Sequence, residues 1–334
     1  MAEAVTSVAK TQSWRPLFWG LAALLLTPVL PLFEAVIPVQ QTLLLLVLVV
    51  AACSIVGWKL GGRLALALIW VALSIWMLLQ PAGPPGSQYD QMTRGWAILL
   101  AASFGLVSLW STTMPFFSRA SFALGLSVGV GFVITLSSPS GIARFQHAAE
   151  EELTRRVSIT IQKVEEGRNT AEWQQMTSRV PMVDTWNEDS EAMMRLMPKR
   201  AATLLPALLA LESLAVLALA WGVYRRLSPV QIGPPLSPLT EFTFNDQLVW
   251  GLAVGATLCL LPAFVEGRSA GYNLLLFFGA LYLIRGIGIL GWIARGRYVY
   301  IVILGLLPQV FVIVTLALGL GDTWLDLRKR AKAV

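Results

Sequence analysis

Two side chains of opposite charge lie near the middle of separate apolar runs. Glu212 lies within LLALESLAVLALAW and Arg285 within LYLIRGIGIL. An unpaired arginine at the centre of a membrane helix costs at least about 2.5–3.5 kcal/mol on insertion scales, and a carboxylate there must be paired, protonated or wet. We therefore predict that Arg285 faces the interior of a helix bundle, with Glu212 as its favoured partner. The pair then serves either as a polar site for a substrate or proton, or as a structural ion pair; alternatively, Arg285 snorkels to the interface.

Three further polar groups stand at the edges of apolar runs. Asn273 begins the run that contains Arg285, so it either caps that helix or faces a cavity next to Glu212 and Arg285. Asn245 and Asp246 precede another run and fit an N-cap with a favourable helix-dipole charge. Asp322 precedes a basic cluster, which is typical of a solvated helix end with local ion pairs.

The composition shows what must position these groups. The chain has 334 residues, of which 56% are hydrophobic and only 13% charged, whereas soluble domains carry about 25% charge. Because so little polar surface is present, lipid must be the solvent. Thirteen Trp and 27 Gly agree, since Trp favours membrane interfaces and Gly lets helices approach closely. The net charge of +6 reflects loops on one side of the membrane rather than nucleic-acid binding.

Nine apolar runs are long enough to span a membrane, for which about 20 residues are needed. We predict an all-α polytopic bundle of nine, alternatively eight, transmembrane helices. The runs are 17–33, 40–58, 63–80, 95–113, 120–138, 201–224, 247–265, 272–294 and 298–320. In the fifth run the pairs Gly125 with Gly129 and Ser127 with Gly131 predict a close helix crossing.

Residues 139–200 interrupt the apolar pattern and hold ten of the 19 acidic residues, so they must lie outside the bilayer. Apolar residues recur there every three or four positions, which predicts one amphipathic helix over 143–166 and, with a second short helix near 187–197, a helical hairpin. The stripe comprises Ile142, Phe145, Ala149, Leu153, Val157, Ile161 and Val164. The hairpin lies over the bundle, on the lipid surface, or simply against its own protein.

The predicted organisation is five membrane helices in 1–138, the insertion 139–200, a sixth helix in 201–226, a Pro-rich connector 227–245 and a three-helix segment with a basic tail in 246–334. Bases in short loops favour an inside N-terminus and an outside insertion. The basic C-terminal tail opposes this unless one run does not span.

Signatures of catalysis are missing: the chain has no P-loop, GxSxG, HExxH or DxD, and we expect no catalytic residue and no cofactor. The single histidine, His147, excludes a multi-histidine metal site, and we expect no metal.

Three strings in the last third carry a resemblance: FNDQLVWGLAV at 244–254, YNLLLFFGALYLIRGIGIL at 272–290 and LGLGDTWLDLRKR at 318–330. They resemble the YybS-like family of uncharacterised bacterial multi-span membrane proteins, which is distantly similar to the substrate-capturing subunits of energy-coupling-factor vitamin transporters. The family-like positions are Asn245, Asp246, Trp250, Asp322 and Arg328. The insertion and three further spans lie outside the six-helix pattern of those subunits.

The resemblance implies a multi-pass protein of the bacterial cytoplasmic membrane. Its partners would be lipid, a small-molecule substrate, and an ATPase module or other membrane protein. We expect a transporter-like protein that captures a small solute without an ATPase or enzymatic activity of its own. The alternative is a membrane scaffold or assembly factor that acts through 139–200 and the basic termini.

Overall fold

A computed structural model describes residues 14–26, 38–80, 87–137, 141–170, 173, 182–294 and 308–325. These residues form ten α-helices joined by turns and short 3-10 helices, and this described part of the chain contains no strand, which confirms the all-α class. The helices are α1 (Arg15–Leu26), α2 (Val39–Lys59), α3 (Leu64–Leu79), α4 (Gln88–Trp110), α5 (Phe116–Leu136), α6 (Gly141–Arg168), α7 (Met182–Leu227), α8 (Val249–Leu260), α9 (Arg268–Ile293) and α10 (Pro308–Leu325).

Five helical stretches are long and apolar enough to cross a membrane: Val39–Lys59, Gln88–Trp110, Phe116–Leu136, Glu191–Leu227 and Pro262–Ile293. Three shorter apolar helices, Leu64–Leu79, Asp246–Leu260 and Gln309–Leu325, accompany them. Helix length and composition thus identify a membrane protein with five candidate spans among the described residues. They leave the predicted total of nine or eight undecided.

The chain divides into two compact units. The first unit combines Met1–Thr113 with Val216–Gly233, and the second combines Met114–Ala215 with Pro234–Val334. Helix α7 runs from the second unit into the first. The predicted polar site and the insertion both belong to the second unit.

Helices α8, α9 and α10 of the second unit cross at glycines. A Cβ atom added to Gly286 of α9 would collide with the backbone carbonyl of Thr315, and one added to Gly319 of α10 would collide with that of Tyr282. The connector also approaches α9, since a Cβ at Gly288 would strike the carbonyl of Leu239. Glycines therefore bring neighbouring backbones against both sides of the α9 segment that carries Arg285.

An apolar cluster fills the space beside this crossing. Phe244 from the connector packs edge-on against Tyr282 of α9, with ring centroids 5.0 Å apart and an interplanar angle of 80°. Leu281 completes the buried centre, and partly buried side chains from four other helices surround it, among them Phe117, Leu214, Leu252, Leu316 and Leu320. The cluster thus joins the connector to helices α5, α7, α8, α9 and α10.

The predicted amphipathic helix over 143–166 is confirmed, because α6 extends without a break from Gly141 to Arg168. The buried side of α6 follows the predicted stripe through Ala149, Leu153, Val157 and Ile161. Its position outside the hydrocarbon stays a prediction.

One acidic residue, Glu152, is buried on the same side of α6. Arg155 and Arg156 both donate to its carboxylate, at 2.6 and 2.8 Å. Burial opposes the ionisation of Glu152, but these hydrogen bonds outweigh burial and its pKa is lowered. The carboxylate therefore stays charged within an otherwise apolar face.

Helix α7 pairs with α6 as a hairpin. Arg168 at the end of α6 contacts Glu191 at 3.2 Å, and Arg195 contacts Glu165 at 3.9 Å. The predicted separate helix near 187–197 is wrong, because Met182–Leu227 forms one helix of 46 residues, roughly 69 Å at 1.5 Å per residue. The charges at 199 and 200 and the prolines at 198 and 206 lie inside this helix and do not end it.

Gly319→Ala should destabilise the protein, while Gly321→Ala on the same helix should not. The methyl group at Gly319 meets the Tyr282 carbonyl, whereas a Cβ at Gly321 meets no atom within 4 Å. We expect Gly319→Ala to cost about 1–3 kcal/mol through overpacking, and Gly321→Ala to be neutral or stabilising by up to about 1 kcal/mol. Thermal unfolding in detergent, followed by tryptophan fluorescence, measures both. Equal effects would contradict the assigned crossing.

Candidate functional site

Arg285 is the centre of a charged network in the second unit. Its side chain is only 4% exposed, and its Nε and Nη2 atoms each lie 3.0 Å from Oδ2 of Asp322. Nη1 donates to Oδ1 of Asp246 at 2.9 Å and to the hydroxyl of Thr323 at 3.4 Å. One guanidinium therefore bridges two carboxylates from different segments.

Aromatic groups cover one face of the guanidinium. The Cζ atom of Arg285 lies 5.2 Å from the ring centroid of Phe244, within the range of a cation–π interaction. The buried ring of Tyr282, one turn earlier on α9, holds Phe244 in place through the edge contact described above. The apolar cluster thus supports the charged network directly.

Each carboxylate is positioned by a helix end. The side chain of Asn245 accepts the N–H of Gln247 at 3.0 Å, so Asn245 caps the 3-10 turn Asp246–Leu248 that leads into α8. Asp246 begins this turn, where a negative charge is favourable. Asp322 lies in the last turn of α10, whose carbonyl ends also favour a neighbouring cation. Two helix ends of opposite polarity therefore meet at Arg285.

The two carboxylates differ in access to solvent. The side chain of Asp322 is 3% exposed, whereas that of Asp246 is 57% exposed. Removal of one partner from a buried pair leaves an uncompensated charge, while exposed pairs contribute little. Asp322 is therefore the buried partner of Arg285, and Asp246 is the partner that water can reach.

The prediction that Arg285 faces the interior within reach of a carboxylate is confirmed, but the choice of Glu212 as that carboxylate is wrong. Glu212 is half-buried on α7. Leu214, two residues later, is the α7 side chain that packs against the cluster beside Arg285. Two residues correspond to about 200° of helix rotation, so Glu212 points away from this cluster. Two charged residues near the middle of their apolar runs need not lie on helix sides that face each other.

The predictions for the helix ends have different outcomes. The capping role of Asn245 and the location of Asp246 in a first helical turn are confirmed. The expected solvated environment of Asp322 is wrong, because its charge is buried against Arg285. Arg328 lies outside the described residues.

Asn273 neither caps α9 nor stands beside Arg285; it binds the backbone of α7. Its Oδ1 accepts the N–H of Ala207 at 2.9 Å, and its Nδ2 donates to the carbonyls of Thr203 at 2.7 Å and Ser269 at 2.8 Å. Ala207 and Thr203 are four residues apart, the spacing of a helical hydrogen bond. They flank Pro206, which lies inside α7. Neighbouring side chains that satisfy backbone groups are what allow proline inside a membrane helix.

The other sequence-predicted positions are separate from the network or at its edge. Gly125 and Gly129 of α5 are exposed, and a Cβ at either would meet no described atom within 4 Å. Ser127 is buried and bonded to the carbonyl of Ala123 at 2.8 Å, and Gly131 is partly buried. Among the described residues of the second unit, the glycines at which another helix backbone comes close thus lie on α8, α9 and α10 instead. Trp250 is 69% exposed on the first turn of α8.

Sequence reasoning missed Phe244, Tyr282 and Thr323 as neighbours of Arg285. Each lies in one of the three strings at 244–254, 272–290 and 318–330, as do Asp246, Arg285 and Asp322. The usable signal was therefore the recurrence of charged and aromatic residues in three separated strings. Nothing in one string alone indicates its neighbours.

The fold defines an all-helical membrane protein. Comparisons with family models, curated proteins and solved structures found no match to this chain. The resemblance to the YybS-like family stays a prediction. No group of three His, Cys, Asp or Glu side chains in the described part of the chain is arranged to hold a metal ion.

Asp322→Asn should destabilise the protein far more than Asp246→Asn. Loss of the buried charge is expected to cost about 3–5 kcal/mol, and loss of the exposed one about 1 kcal/mol or less. The free energy of unfolding in mixed micelles measures the difference. Arg285→Met combined with Asp322→Leu should recover much of the loss, because no buried charge is then left unpaired and Asp246, which loses its partner, is exposed to solvent. Equal costs for the two Asn variants would refute the assigned asymmetry.

Asn273→Leu should destabilise the protein more when Pro206 is present than when it is replaced. In the native background it leaves the Ala207 N–H and Thr203 carbonyl without the amide, an expected cost of about 1–3 kcal/mol. In a Pro206→Ala background a regular helix can pair these groups itself, so the cost should fall by about 1 kcal/mol or more. A double-mutant cycle on thermal stability measures the coupling. Additive effects would show that Asn273 does not act on the proline site.

Proposed function

We propose that this chain is a multi-pass protein of a bacterial cytoplasmic membrane that captures a small anionic solute and has no catalytic activity of its own. An ATPase module or another membrane protein would drive its transport. The observation that carries this proposal is the unequal pair of carboxylates on Arg285. An apolar interior needs no such network for stability, since hydrophobic replacements of buried ion pairs are often neutral or stabilising. Ionisable residues inside membrane segments are characteristic of transport pathways.

The capture step follows from the exposure of Asp246. Asp322 keeps Arg285 oriented, while the exposed carboxylate of Asp246 exchanges with a solute carboxylate. A guanidinium binds a planar carboxylate through two parallel hydrogen bonds. The face of Phe244 beside the guanidinium adds apolar or aromatic contact to the same solute. Small organic carboxylates fit this arrangement better than inorganic cations.

Two exposed tryptophans support a membrane-interface level for the site. Trp250, four residues after Asp246, is 69% exposed, and Trp324, two residues after Asp322, is 67% exposed. Tryptophan favours the boundary between hydrocarbon and water. At that level Asp246 meets water rather than lipid, and a solute reaches Arg285 directly from the aqueous side.

We propose nine, alternatively eight, spans with the N-terminus inside. Only the count of eight, in which one of the last three runs does not span, puts Trp250 and Trp324 on the same side of the membrane. The short helices Leu64–Leu79, Asp246–Leu260 and Gln309–Leu325 support additional spans beyond the five long ones. Cysteine labelling at residues 12, 170 and 332 tests the sides. Residues 12 and 170 on one side would contradict the topology.

Thermal protection by defined solutes tests the function. Biotin, nicotinate and pantothenate serve as carboxylate probes, with thiamine as a cationic control, on the full chain in detergent. We expect at least one carboxylate to raise the Tm, and Asp246→Asn to strengthen that effect about tenfold in apparent affinity because the internal competitor is neutralised. Trp250→Phe is the matched control without a charge change. Protection by thiamine alone, by none of the probes, or equally in Asp246→Asn would overturn the proposed capture site.

A membrane scaffold is the second candidate, and the α6–α7 hairpin favours it. Helix α7 is more than twice as long as the roughly 30 Å of membrane hydrocarbon. Between α6 and α7 lies an open groove of about 430 Å³ that includes Val157, Ile161, Glu165, Arg195 and Pro198. The solute experiment discriminates: a scaffold shows no protection by any probe.

A further inference from the structure

One end of the first unit concentrates positive charge. The described residues of this unit contain six basic residues: Arg15, Lys59, Arg63, Arg94, Arg225 and Arg226. They contain one acidic residue, Asp90, whose carboxylate accepts from Arg94 at 2.8 Å. Arg94 also donates to the carbonyl of Gln80 at 2.6 Å, which places this pair by the end of α3. The other five basic residues lie at the opposite end.

Contacts between helices establish that the five basic residues share an end. A Cβ at Gly57, near the end of α2, would collide with the Tyr224 hydroxyl, so the end of α2 meets the end of α7. Arg225 and Arg226 directly follow Tyr224. Lys59 and Arg63 flank the turn from α2 to α3, which Gly61 makes with a φ of 97°. Only glycine adopts such a backbone readily.

Helix α1 brings the fifth basic residue to the same end. Leu17 packs on Gly222, and Leu219 packs on Gly20, so α1 runs antiparallel to the last part of α7. Trp14 lies beside Arg226, with 5.6 Å from the guanidinium carbon to the ring centroid. Arg15 is therefore at the level of Arg226.

Exposed tryptophans mark the same level. Trp14 is 53% exposed and Trp58 44% exposed. Helix α4 contributes Trp110, which is 88% exposed. It belongs to this end because Gly105 of α4 lies against Ala52 of α2, and α4 ends beyond that contact. Tryptophans at a shared level next to a group of cations are typical of the boundary between hydrocarbon and headgroups.

The packing also makes this end rigid. The Tyr224 hydroxyl donates to the Val230 carbonyl at 2.8 Å, and Ser228 donates to the same carbonyl at 3.0 Å. Arg225 donates to the carbonyl of Gly233, and Arg226 to that of Gly222. These contacts orient the two guanidinium groups.

We propose that this end of the first unit binds the headgroups of anionic phospholipids. The basic residues complement the negative charge of the headgroups, and the tryptophans lie at the depth of the headgroup boundary. The turn from α2 to α3 fixes the distance between Lys59 and Arg63. Each lysine or arginine near an anionic surface changes affinity by about fivefold. This surface is independent of the Arg285 network, and its occupation places the start of α1 and the end of α7 at the anionic leaflet.

Native mass spectrometry of the full chain in detergent tests the proposal, with phosphatidylglycerol and phosphatidylcholine of identical acyl chains as probes. We expect the wild type to prefer phosphatidylglycerol, and Lys59→Gln with Arg63→Gln to weaken that preference about 25-fold. The matched control, Lys199→Gln with Arg200→Gln, removes equal charge from the exposed hairpin and should leave the preference intact. Lys59→Arg with Arg63→Lys should retain it.

Three outcomes would overturn the proposal. They are an unchanged preference in the Lys59→Gln, Arg63→Gln variant, an equal loss in the hairpin control, and displacement of the lipid by millimolar inorganic phosphate. The last outcome would assign the cations to a soluble phosphate compound. Circular dichroism of each variant verifies that the helices are retained.

Discussion

The enclosure of one guanidinium by carboxylates in an apolar helical unit is the constraint on which the second unit depends. Arg285 is nearly inaccessible to water, so its hydration must be replaced by protein groups. Asp322, Asp246 and Thr323 provide that replacement, and the ring of Phe244 covers the remaining face. Since a buried charge tolerates little change in distance, these segments are held in one relative arrangement by electrostatics as much as by apolar packing.

Backbone proximity makes the enclosure feasible. Gly286 and Gly319 allow α9 and α10 to touch, and Gly288 admits the connector. The aspartates then reach Arg285 from two helix ends. At Asn273, too, a side chain replaces a missing interaction: its amide binds backbone groups of α7 next to a proline. In both places an irregular feature of the chain is matched by a polar group from another helix, as expected where water is scarce.

Sequence reasoning succeeded where local pattern decides the outcome. Composition indicated the apolar helices, the three-to-four periodicity indicated α6, and the cost of a lone charge indicated that Arg285 is paired. Sequence reasoning failed where the outcome depends on which sides of two helices are in contact. Glu212 and Arg285 lie near the middle of their apolar runs, but their side chains point in different directions around the helix axes. Asp322 was assigned to a solvated helix end because the sequence alone does not show which side chains are buried. Asn273 was misassigned since its partners at 203 and 207 are distant in sequence.

The separation of the three charged residues along the chain has a consequence for biosynthesis. Asp246 precedes Arg285 by 39 residues and Asp322 follows it by 37. When α9 leaves the ribosome, Asp246, in the turn before α8, is the only one of the two carboxylate partners of Arg285 that has already been synthesised. The buried partner arrives with the last helix. The charged network of the C-terminal three-helix segment is therefore completed in a fixed order, and a chain that stops before α10 lacks the buried carboxylate that Arg285 needs.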